Sequence, residues 1–147
     1  MTTPFIQVRH VGLVVKDLQR ALGFYQELLG LEEQRRMIER GPVIENMLGL
    51  KDVEVETVKL GTKDGITQIE LLSFRSHPVA GPEKDRTLMV GLTHLAFTVD
   101  NLPQLYSDLS ARGVLFQCPP QTSADGRFRL TYCQDPEGTW IELVEVL

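Results

Sequence analysis

The sequence predicts an α+β fold built from two repeated halves, each a strand, a helix and three further strands. Two observations predict it. The phrase TQIELLSF at residues 67–74 returns as TWIELVEV at residues 139–146, so Glu70 maps onto Glu142 with an offset of 72 (142 − 70), and Ile69 and Leu71 map onto Ile141 and Leu143. Near the start of each half, His10 maps onto His94 with an offset of 84 (94 − 10), which also carries Val15 to Val99 and Leu18 to Leu102. Two separate matches of this kind mark an internal repeat. The offsets differ by 12 (84 − 72), so the first half holds extra residues, most easily placed between Arg40 and Lys51.

The elements follow in order. From Phe5 to Val15 the chain alternates as a strand, with Val11, Leu13 and Val15 on one face and Val8, His10, Gly12 and Val14 on the other. Asp17 caps a helix through Leu18, Ala21, Leu22, Tyr25, Leu28 and Leu29, which recur at helical spacing until Gly30. Leu31 to Glu39 is a second strand. Gly41-Pro42 and Gly49 make Arg40 to Lys51 a loop with one helical turn around Ile44 to Leu48. Val53 to Leu60 and Ile66 to Phe74 are strands joined by the turn Gly61 to Gly65, with Glu54 and Glu56 read as solvated. After a Pro-, Gly- and charge-rich linker the pattern restarts. Leu92 to Val99 is a strand, Asp100 or Asn101 caps a helix through Leu109, and Gly113 closes it. Val114 to Gln117, Arg127 to Cys133 and Thr139 to Val146 supply the last strands, and Asp135-Pro136-Glu137-Gly138 is a turn. One domain is expected over residues 1–147, with module one at 5–74, module two at 91–147 and a linker at 75–90.

Composition limits the function classes. A formal net charge of −5 and the lack of a basic stripe argue against a nucleic-acid partner. No apolar run is long enough to span a membrane and the N-terminus lacks a secretory signal, so the expectation is a cytoplasmic protein with a small-molecule partner. Cys118 and Cys133 are too few for a disulfide framework, and their spacing matches no zinc motif.

His10, Glu70, His94 and Glu142 occupy repeat-equivalent positions, each opposite the apolar face of its strand. A lone His in an apolar strand is commonly a hydrogen-bonded core residue, and a lone Glu a solvent-face residue. Both types falling at matching places twice is what points to a metal. If curved sheets face each other, a divalent cation satisfies two imidazoles and two carboxylates together. Mixed nitrogen and oxygen ligands suit manganese, iron, cobalt, nickel or zinc. Four such ligands leave two octahedral positions for water or a chelating substrate. His77 is given no role, and Tyr132, Trp140 and Phe128 are expected to be pocket wall or core.

The segments VRHVGLVVKDLQRALGFYQELLGL, TQIELLSF, LTHLAFTVDNL and DPEGTWIELVE together resemble the vicinal oxygen chelate superfamily, also called the glyoxalase, bleomycin-resistance and dioxygenase superfamily. The resemblance implies paired βαβββ modules in a cupped, barrel-like mixed sheet, with helices outside and one divalent transition metal per site. It places the ligands on the first and last strand of each module, at His10, Glu70, His94 and Glu142. Glyoxalase I and methylmalonyl-CoA epimerase keep all four positions. Extradiol dioxygenases use three, matching His10, His94 and Glu142, and bleomycin-binding relatives have no metal. The Arg40 to Lys51 segment is longer than in the epimerases. Arg35, Arg36, Arg127 and Arg129 are the candidates by charge for holding glutathione.

The carboxylate at Glu70 favours a metal-dependent lyase or isomerase of the glyoxalase or epimerase type. Such an enzyme abstracts a proton next to a chelated carbonyl and passes through an enediolate. The base is Glu142 or Glu70, and the resemblance puts Glu142 first. The alternatives are a non-haem iron(II) extradiol-type dioxygenase and a ligand-sequestering protein. Open sheet edges lead us to expect a homodimer.

Overall fold

The computed structural model describes residues 7–62, 65–81 and 90–147. The expectations for residues 5–6, for the middle of the 61–65 turn and for residues 82–89 of the linker lie outside the described residues. The chain divides into two compact units at Ala80 and Gly81.

Unit one begins with β1 (His10–Val14). Asp17 then caps α1 (Leu18–Leu22), its Oδ1 accepting from the backbone N–H of Arg20 at 3.0 Å. The helical chain continues as a π-helical stretch over Gly23–Leu28, and Gly30 leaves it at φ 74°. β2 (Glu32–Arg40), α2 (Pro42–Leu48), β3 (Glu54–Gly61) and β4 (Gln68–Phe74) complete the unit. The sheet order is β1-β4-β3-β2, with β1 parallel to β4 and the other pairs antiparallel. α1 lies on β4. Period-2 alternation turns Val58, Leu60, Ile69 and Leu71 to one face, all buried, as are Leu18, Ala21, Leu22 and Tyr25 of the helical segment.

The loop expected at Arg40 to Lys51 is more ordered than its sequence implied. Pro42 opens α2, where its missing N–H costs nothing, and Gly49 closes it in the left-handed conformation at φ 67°. This helix accounts for the extra residues of the first half, and unit two has no counterpart among its described residues.

Unit two repeats the plan with β5 (His94–Thr98), α3 (Leu102–Ala111), β6 (Gln121–Thr122), β7 (Phe128–Gln134) and β8 (Trp140–Val146). Its order is β5-β8-β7-β6, with β5 parallel to β8. Both sheets are open, and their order and connections make the paired βαβββ fold. Asn101 caps α3 through Gln104 N–H at 3.4 Å. Glu145 Oε2 accepts a further N–H of that first turn, from Leu102 at 3.2 Å, and is held by Arg129 Nη1 at 2.9 Å. Leu102, Leu109, Ile141 and Leu143 are buried.

One strand is misplaced by the sequence. Val114 to Gln117 forms an isolated bridge, Phe116 with Cys133, framed by the bonds from Gln117 N–H to the Tyr132 carbonyl at 2.8 Å and from Gln134 N–H to the Leu115 carbonyl at 3.1 Å. Pro119 and Pro120 have no N–H to offer a ladder, so pairing lapses and resumes for two residues at β6. Glu54 and Glu56 are not simply solvated either. Glu56 pairs with Arg36 and Arg75, and Glu54 with Arg40 and Arg75.

The turn before β8 is built by Asp135, which is buried and accepts from Glu137 N–H at 2.9 Å and Thr139 N–H at 2.8 Å. Asp135→Ala leaves both donors without that acceptor and is expected to lower stability by about 1–3 kcal/mol in chemical denaturation. A midpoint unchanged from wild type would discard this account of the turn. Both cysteines are free, and burial, aided by Asp135, pushes the Cys133 thiol up to about 12. Among the described residues no helix is long and apolar enough to cross a membrane.

Candidate metal centre

In unit one the parallel register sets Gly12 opposite Glu70 and His10 opposite Gln68. His10 and Glu70 are therefore diagonal neighbours on one face. His10 Nε2 stands 3.1 Å from Glu70 Oε2. Unit two repeats this with Ala96 opposite Glu142 and His94 opposite Trp140. There His94 Nε2 stands 3.2 Å from Glu142 Oε2. The residues facing the carboxylates, Gly12 and Ala96, are both small, which leaves the diagonal open for each imidazole. A one-residue slip would turn every one of these side chains to the opposite face.

The surroundings of the two pairs differ. Antiparallel pairing of β3 with β4 sets Lys59 opposite Glu70, and Lys59 Nζ stands 3.6 Å from Glu70 Oε1. At the matching place in unit two, Tyr132 lies opposite Glu142. Its hydroxyl is 3.5 Å from His94 Nε2, and the two rings meet edge to face at 5.2 Å. Trp140 packs against Tyr132 with ring centroids 6.2 Å apart. Burial foremost, then the Glu142 carboxylate, raises the Tyr132 phenol, so the group stays protonated. Tyr132 and Trp140 thus wall the second pair as expected. Phe128 instead sits exposed at the start of β7.

The four expected ligands are brought together as two pairs, and among the described residues no third His, Cys, Asp or Glu side chain joins either pair. The donors fit a divalent transition metal. Each imidazole presents Nε2 to a carboxylate oxygen, the atom types such ions bind. His94 Nδ1 lies 2.8 Å from Thr93 Oγ1, a contact that fixes the ring. His10 Nδ1 is buried and has no hydrogen-bond partner among the described residues.

Of the four arginines picked out by charge, Arg36 is paired with Glu33 and Glu56 on the opposite face, and Arg129 is bound to Glu145. Arg127 lies in the turn before β7, where its N–H bonds Asp125. Arg35 alone of the four shares a sheet face with a His–Glu pair, through its register with Lys59. Lys59 itself was missed. Its signal was the hairpin arithmetic: β3–β4 partners sum to 129 (59 + 70, as in 61 + 68), which places it on Glu70.

The sequence profile of the Glyoxalase/Bleomycin resistance protein/Dioxygenase superfamily matches residues 7–143. The chain belongs to this superfamily. It is 26% identical over 140 residues to the uncharacterized protein YwbC of Bacillus subtilis, with 95% of this chain and 97% of that protein covered. It is 27% identical over 149 residues to the lactoylglutathione lyase of Schizosaccharomyces pombe, covering 94% of this chain but only 47% of that enzyme. A glyoxalase family protein from Bacillus cereus superposes with a TM-score of 0.89 at 27% identity, covering 99% of this chain and 97% of that one. Glyoxalase-superfamily members bind small molecules and typically hold a divalent metal.

Proposed function

We propose that this chain is a divalent-metal-dependent lyase or isomerase of the glyoxalase or epimerase type. The proposal includes one domain made of both modules, with His10, Glu70, His94 and Glu142 as ligands of a single metal. Manganese, cobalt, nickel, zinc or iron suits that donor set. The observation that carries it is the His–Glu contact repeated in both units, Nε2 to Oε2, at 3.1 and 3.2 Å. The similarity to a lactoylglutathione lyase supports the same class.

When bound, the metal supplies Lewis-acid stabilisation of the negative charge that builds on a chelated carbonyl. The protein's own residues do the rest. Glu142 takes the proton from the carbon beside the carbonyl. Tyr132 and Trp140 wall it from water, and a carboxylate within reach of that proton can serve as the base. Glu70, held on one oxygen by Lys59, stays in place as a ligand.

Metal content of gently purified protein tests this, alongside His10→Ala and Glu142→Ala. About one transition metal per chain, lost in both variants, is the expected result. A protein that carries no metal and refuses added metal would remove the enzyme readings together. The Lys59 contact also favours a second reading, in which Glu70 is idle and His10, His94 and Glu142 form a facial triad for iron(II). That reading requires iron and oxygen consumption, with little effect of Glu70→Gln. A homodimer completes the proposal, and a monomeric mass in solution would strike it out.

A further inference from the structure

We infer that Gln68, aimed by Gln34, is the positioning residue that fixes the His10 ring on a metal, by accepting the hydrogen bond of its Nδ1. This rests on the metal reading above and adds two residues that set how tightly the metal is held.

The two histidines are not equally supported. His94 Nδ1 has Thr93 Oγ1 at 2.8 Å. The repeat puts Arg9 where unit two has Thr93 (93 − 84 = 9), so no hydroxyl precedes His10. Its Nδ1 is buried and has no hydrogen-bond partner among the described residues. That matters once a metal takes Nε2, because the proton of the neutral ring then sits on Nδ1. A buried donor left bare is costly.

β1 is an edge strand paired only with β4, so His10 has few neighbours on its own face of the sheet. By alternation these are Val8 and Gly12 along the first strand, and Ile66, Gln68 and Glu70 across from it. Val8, Gly12 and Ile66 have no polar side-chain atom. Glu70 faces Nε2. Gln68, directly opposite His10, is the acceptor that remains. In unit two its counterpart is Trp140 (140 − 72 = 68), whose indole donates but cannot accept. Each histidine thus has one side-chain acceptor beside it, a hydroxyl in unit two and an amide in unit one.

The amide is also aimed. A bulge in β2 between Glu33 and Arg35 leaves Gln34 as the extra residue. Bulges re-aim side chains. Gln34 reaches across Gly61, and its Oε1 accepts from Gln68 Nε2. Gly61 is opposite Gln68 on the side away from His10, and a Cβ there would run into the Gln34 amide. Its φ is not positive, so it is glycine for space rather than for conformation. Glu32, the last residue of this row, is exposed at the sheet edge. With its nitrogen tied toward β2, Gln68 keeps its carbonyl oxygen for the β1 side.

Zinc is the probe, its dissociation constant measured by chelator competition on the full chain. Gln68→Leu is expected to weaken zinc binding about tenfold, the usual loss when a ligand's hydrogen-bond partner is removed. Gln34→Ala should weaken it in the same direction. Gln68→Glu keeps an acceptor oxygen and should bind zinc at least as tightly as wild type. NMR of the imidazole nitrogens gives a second reading, readily assigned in a chain with three histidines. The His10 Nδ1 proton should exchange slowly in the zinc-loaded wild type and in Gln68→Glu, and rapidly in Gln68→Leu. Should Gln68→Leu fail to fold, the exposed Gln34→Ala change decides by the same two readings. Equal zinc affinity in wild type and Gln68→Leu, or a Gln68→Glu variant as weak as Gln68→Leu, overturns the proposal and leaves the metal reading standing. Wild-type protein that takes up no zinc or other transition metal overturns both.

Discussion

Glu142→Gln is expected to lower turnover by about 10²–10⁴-fold, the usual contribution of a positioned general base. An amide oxygen still offers a lone pair to a metal, so metal content should fall far less than in Glu142→Ala. What the amide cannot do is accept a proton. The measurement is solvent deuterium entering the carbon next to the substrate carbonyl, followed by NMR in the wild type and the variant. Exchange at the wild-type rate would take the base role away from Glu142. The matched change Glu70→Gln separates the two carboxylates, since Lys59 holds Glu70 on its second oxygen and Tyr132 offers Glu142 only a neutral neighbour. If Glu70→Gln rather than Glu142→Gln abolished exchange, the roles would be reversed.

Leu71→Ala should have the largest effect on stability. Leu71 is fully buried on one of the two inner strands of its sheet, between Leu13 of β1 and Val58 of β3, and α1 covers that strand. Truncating such a side chain removes its transfer free energy and leaves a cavity, at a cost of about 2–5 kcal/mol. Leu143, its repeat partner, is equally buried and should cost a similar amount. Urea unfolding followed by circular dichroism measures both. A loss below about 1 kcal/mol at Leu71 would mean the site collapses freely, contrary to close packing against three neighbouring elements.

Much of this was legible in the chain itself. The repeat was readable because two strands and a helix start recur with their side chains, and chemistry that needs the same atoms twice preserves their alternation. Asp17, Gly30 and the pair Asp100-Asn101, of which Asn101 is the cap, announced helix ends because capping depends on one residue's side chain or its freedom at positive φ. Strand pairing was harder. Val114 to Gln117 is apolar enough for a strand, yet whether its pairing continues as a ladder depends on the N–H groups that two following prolines lack. Lys59 looks like an ordinary solvent-face lysine between Val58 and Leu60. Only the β3–β4 register sets it beside Glu70, and register is a property of two strands together. Glu54 and Glu56 looked solvated for the same reason, their arginine partners lying on β2 and just beyond β4.

The parallel joining of first and last strands has a kinetic side. His10 and Glu70 are separated by 60 residues (70 − 10), and His94 and Glu142 by 48 (142 − 94). Neither contact can form until the whole intervening segment has left the ribosome and the far strand has slotted between the first strand and the hairpin. Non-local closures of this kind come late and slowly. Each His–Glu pair is therefore a signature of completed folding in its own unit, and a truncated or half-folded module would have no such pair to offer a metal.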